Sequence, residues 1–65
     1  METRKLYKEL RKLEGISITE VSHKSHISRR TIERFERGET DLGYRKLESL
    51  CLSIGYILTI KKEKR

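Results

Sequence analysis

Two helix-start signatures stand close together in this chain, and they constrain its fold more than any other feature. The first is Ile16-Ser17-Ile18-Thr19-Glu20-Val21. A helix leaves its first backbone N–H groups without partners, and a serine at the N-cap accepts from one of them. Ser17 fits that role, Glu20 three residues later completes a capping box, and Ile16 with Val21 has the spacing of a hydrophobic staple. The signature returns in part further on, with Ser28 as N-cap, Ile27 and Ile32 as the staple pair, and Gly38 as the stop. Two short helices are therefore expected over residues 17–25 and 28–37. Only about three residues separate them, which is the spacing of a helix-turn-helix unit.

The remaining elements follow from periodicity. Leu6, Tyr7, Leu10 and Leu13 recur at steps of three and four, which predicts an amphipathic helix from Thr3 to Glu14 ended by Gly15. Tyr44, Leu47, Leu50, Cys51 and Ile54 predict another, closed by Gly55. Tyr56-Ile57-Leu58-Thr59-Ile60 is β-branched and aromatic, too short for a helix and suited to a strand, and 61–65 is a basic tail. With no proline, repeat or low-complexity stretch to suggest a linker, residues 1–55 read as one helix-turn-helix domain. The expected class is all-α, a bundle of four to five short helices with a short C-terminal β-strand.

Size limits what such a bundle can do alone. A chain of 65 residues buries only about 60% of the surface it exposes when unfolded. The single Cys51 allows no internal disulfide, and no zinc-ligand spacing is present. A partner subunit is the expected source of further stability. A lone strand also needs another edge to satisfy its backbone groups, so antiparallel pairing of Tyr56, Ile57, Leu58, Thr59 and Ile60 with the same segment of a second copy is expected, with Leu52 lining the interface. No apolar run has signal-peptide or membrane-helix length, and the reading is cytoplasmic with no membrane partner.

Sixteen Lys and Arg against ten Asp and Glu leave a net charge of +6, which favours a polyanion. Position turns that tendency into a site. At 100° per residue, Arg29, Glu33, Arg37, Arg30 and Arg34 fall within an arc of about 140°, with Ile32 and Phe35 opposite. Such a face could simply be solvated, with Arg29 and Arg37 paired to Glu33 at helical spacing. Its place on the second helix of a short-turn pair favours double-stranded DNA, because that helix enters the major groove by its N-terminal end. Arg29, Arg30 and Arg34 are the expected readers of base edges, since a guanidinium fork donates to both O6 and N7 of guanine. Ser17, Ile18, Thr19, Ser28, Arg37, Thr40 and Arg45 are the expected phosphate contacts.

The stretch Leu10-Arg11-Lys12-Leu13-Glu14-Gly15-Ile16-Ser17, followed by Ser28-Arg29-Arg30-Thr31-Ile32-Glu33-Arg34-Phe35-Glu36-Arg37-Gly38, resembles the Cro and cI phage-repressor type of helix-turn-helix, the XRE family. The resemblance spans residues 6–55. It implies a lambda-repressor-like bundle whose third helix reads the major groove, and an ion pair between Arg11 and Glu36. It also implies a transcriptional regulator, most simply a repressor, acting as a homodimer. A protein-interaction module on the same scaffold, such as an antitoxin bound to a toxin or a phage inhibitor, is the alternative.

Some positions depart from the pattern of that family. Ile18 stands where Gln is common at the start of helix 2, His26 where the turn has Gly, Ser22 where a tight contact has Ala, and Glu39 and Asp41 where the loop is often basic. Histidine visits positive φ more readily than most side chains, so His26 is compatible with the turn. His23 and His26 lack the further ligands that a metal site needs, and no metal or cofactor is expected. No serine or cysteine stands in a nucleophile motif, so no enzymatic activity is expected. Cys51, Tyr7 and Tyr44 read as core.

Overall fold

The computed structural model describes residues 2–59. Its four helices are α1 (Glu2–Leu13), α2 (Ile18–Ser25), α3 (Arg29–Glu36) and α4 (Tyr44–Ser53). Both short helices begin at the expected serines. Ser17 Oγ accepts from Glu20 N at 3.1 Å, and Ser28 Oγ accepts from Thr31 N at 3.2 Å while donating to Thr31 Oγ1 at 2.8 Å. The capping box at Ser17 is only half made. The Glu20 carboxylate instead lies 3.5 Å from Lys24, one turn further along α2.

The core is assembled from all four helices and the turn. Tyr7, Val21, Ile27, Ile32, Phe35, Leu47, Leu50, Cys51 and Ile54 form one buried cluster. The Tyr7 and Phe35 rings meet with centroids 6.2 Å apart, tilted by 53°, which joins α1 to α3. Helix α2 packs against both α3 and α4. Burial of Ile32 and Phe35 forces the opposite face of α3 outward, since residues half a helical turn apart cannot share a side.

Helix α1 is less buried than its periodicity implies. Tyr7 is 1% exposed, but Leu6 is 56% and Leu13 76% exposed. A helix packed along one edge of the bundle buries only the middle of its apolar stripe.

The C-terminal segment differs most from expectation. No strand forms among the described residues; 56–59 run without regular structure, and Ile60 with the 61–65 tail lies outside them. Tyr56 N–H donates to Cys51 O at 2.9 Å, Tyr56 OH donates to Glu14 at 2.9 Å, and Tyr44 OH donates to Leu58 O at 3.3 Å. Tyr56 and Leu58 pack on the core while Ile57 stays 80% exposed. Side-chain hydroxyls and the end of α4 thus tie this segment to its own domain.

Candidate nucleic-acid interface

The turn between α2 and α3 sets the angle of the arginine-bearing helix. His26 adopts φ 61° and ψ 27°, the left-handed conformation that ends α2, and its N–H donates to Ser22 O at 3.0 Å. Ser22 Oγ donates to Ile27 O at 2.6 Å, and Ser25 Oγ accepts from Ile27 N at 3.3 Å. Two serines therefore hold the residue just before the Ser28 cap. Ser22 is therefore more than a small residue at a packing contact, since its hydroxyl makes a bond that alanine cannot.

Arg11 and Glu36 join α1 to α3 from behind the face. Arg11 Nε donates to Glu36 Oε2 at 2.7 Å and Nη2 to Oε1 at 2.8 Å, while Nη1 donates to Ile16 O at 2.9 Å. The guanidinium therefore also anchors the loop leading into α2. Its bonds to Glu36 raise the Arg11 pKa further, against the opposing effect of burial.

On the outer side of α3, Arg29, Arg30, Arg34 and the C-cap Arg37 are all exposed. Their ionic surroundings differ. Arg29 lies a loose 4.0 Å from Glu33. Arg37 does not pair with Glu33 at helical spacing; it turns instead to Glu39, with Nε to Oε2 at 2.8 Å. Arg34 Nε is 3.8 Å from the other oxygen of Glu39. Arg30 has no carboxylate partner among the described residues. The two arginines at the N-terminal end of α3 are thus the ones least engaged with the protein itself.

The expected phosphate contacts are spread around this helix. Ser17, Ile18 and Thr19 lie at the start of α2, Ser28 at the start of α3, and Arg45 in the first turn of α4. Thr40 is half-buried in the loop, its hydroxyl 3.4 Å from Asp41 O. That loop is held down by Arg4, which lies 3.8 Å from Asp41 and against Gly38. Gly38 has φ +82°, a backbone conformation that favours glycine, with the Arg4 guanidinium packed beside it.

Among the described residues no group of three or more His, Cys, Asp or Glu side chains could hold a metal, His23 and His26 included. Cys51 is buried, and desolvation raises its thiol pKa, which disfavours the reactive thiolate. No helix among the described residues is long and apolar enough to cross a membrane.

Comparison with known proteins adds one match. A family model described as helix-turn-helix matches residues 8–56, which run from the middle of α1 to just past α4. No curated protein and no solved structure matches the chain.

Proposed function

Since the chain belongs to the XRE-type helix-turn-helix family, a family of DNA-binding regulators, we propose that it binds duplex DNA sequence-specifically and acts as a transcriptional repressor. One observation carries the proposal. Helix α3 buries Ile32 and Phe35 and leaves Arg29 and Arg30 exposed at its N-terminal end, beside a turn fixed by Ser22 and His26. In this reading α3 lies in the major groove, with Arg29, Arg30 and Arg34 on base edges. Ser17, Ile18, Thr19, Ser28, Arg37, Thr40 and Arg45 grip phosphates, partly through backbone N–H groups at the helix starts.

The same reading has the protein acting as a homodimer, which would place two copies of α3 on half-sites one helical turn apart, about 34 Å. With no strand formed over 56–59, the exposed Ile57 and Leu52 are the residues of the expected interface best placed to meet a second copy. Exposed Leu6 and Leu13 favour a second reading, in which a protein partner such as a toxin docks on α1.

Selection from a random duplex pool tests both ideas. A repressor of this kind enriches a two-part motif with half-sites one turn apart. A pool that shows no enrichment after repeated rounds rejects sequence-specific binding and favours the protein partner.

A further inference from the structure

Glu39 sits within the arginine face rather than beside it. Its backbone N–H donates to Arg34 O at 2.9 Å, which folds the loop back onto the last turn of α3. From there a single carboxylate meets two guanidiniums. Arg37 Nε reaches Oε2 at 2.8 Å and Arg37 Nη2 reaches Oε1 at 3.4 Å, while Arg34 Nε stands 3.8 Å from Oε1. Helix stability does not account for this placement, because a negative charge just past a helix C-terminus faces the negative end of the helix dipole. The two arginines hold it there.

The geometry resembles that of a bound phosphate, since two oxygens on one fork is how arginine also grips a phosphodiester. All three side chains are about half exposed, at 49% for Glu39, 50% for Arg34 and 58% for Arg37. An exposed pair of this kind is held weakly and can exchange for an external anion. Arg34 comes no closer than 3.8 Å to Glu39, beyond hydrogen-bond reach, so its guanidinium is only loosely engaged. Arg37 commits Nε and Nη2.

We infer that Glu39 is an internal competitor for DNA phosphate, which withholds Arg37, and in part Arg34, from backbone binding. The inference rests on the DNA-binding reading of α3. Sequence-independent affinity comes almost wholly from charge neutralised on phosphates. Occupying these guanidiniums therefore weakens binding to every sequence alike and leaves discrimination to the base contacts of Arg29 and Arg30. Glu39 acts through the arginines and touches no base in this scheme.

The test is a fluorescence-anisotropy titration of a random-sequence duplex over a range of salt concentrations, using wild type, E39Q, D41N and the double variant R37A/E39Q. All substitutions are at exposed side chains, and circular dichroism checks folding. E39Q is expected to bind random duplex roughly five-fold more tightly, with the slope of log affinity against log salt steeper by about one. D41N removes the same charge from a residue paired with Arg4 instead, and is expected to change the slope by less than half as much. R37A/E39Q should return to the wild-type slope. An E39Q slope equal to wild type, or a D41N effect as large as that of E39Q, overturns the inference while leaving the DNA reading standing. A wild-type protein that binds no duplex removes both.

Discussion

Arg11 and Glu36 face each other edge to edge with two parallel hydrogen bonds of 2.7 and 2.8 Å, and their side chains are only 11% and 5% exposed. Charges so far from water are stable there only because each answers the other. Glu36→Ala leaves the guanidinium buried without its partner and should cost about 3 to 5 kcal/mol. For a domain this small that is a fall in Tm of more than about 12 °C. Replacing both partners with apolar residues of similar size, R11M/E36L, should recover much of the loss. Thermal melts followed by circular dichroism check this, and an E36A melt within about 4 °C of wild type is incompatible with a structural pair.

His26→Gly should stabilise the protein. The residue is exposed and held at φ 61°, a conformation that costs a non-glycine side chain about 1 kcal/mol or more. Its backbone N–H bond to Ser22 O does not depend on the side chain. A Tm rise of about 4 to 8 °C is expected. A drop would mean that the imidazole makes a contribution larger than the strain.

Arg30 and Arg37 should behave differently on DNA. Arg30→Ala is expected to cost about 1 to 3 kcal/mol on the selected site and to relax preference at one base pair per half-site. Arg37→Ala should weaken all sequences alike, and only slightly, because Glu39 already engages that side chain. Ser28→Ala removes the cap of α3 and should lower stability by about 1 kcal/mol as well as affinity. Titrations on the selected duplex and its single-base variants separate these effects. Unchanged discrimination by folded R30A would exclude it as a reader.

Cys51 should be slow to react while the protein is folded. Burial raises its folded pKa above the unfolded value, so its contribution to stability is fully present below the unfolded pKa of about 8.5 and is lost as pH rises through the folded pKa. Labelling with a thiol reagent at pH 8 should be much slower in buffer than in denaturant, and stability should fall at alkaline pH. Equal labelling rates in the two conditions would contradict burial of the thiol.

The segment after α4 carries a prediction about assembly. Truncation after Gly55 removes Tyr56 and Leu58 from the core and the bonds to Glu14 and Tyr44, so Tm should fall. Light scattering of the full chain should report a dimer at micromolar concentration. A folded monomer at that concentration rejects the homodimer.

Local chemistry made much of this protein legible in the sequence. The starts of α2 and α3 depend on serines that cap N–H groups three residues away, so Ser17 and Ser28 declare them without any tertiary partner. The outward direction of Arg29, Arg30 and Arg34 follows from helical geometry once Ile32 and Phe35 are recognised as core. Tertiary structure decided what depends on neighbours distant in the chain or on competition between equivalent partners. Arg11 and Glu36 are 25 residues apart, and only the resemblance to a known family suggested their pairing. Helical spacing offered Glu33 to Arg37, but the loop after α3 brought Glu39 closer, and the shorter ion pair prevailed. The β-branched and aromatic make-up of 56–60 points to a strand, which does not form over 56–59. The hydroxyls of Tyr44 and Tyr56, placed by α4 and by the end of α1, tie 56–59 to the domain itself through partners far away in the chain.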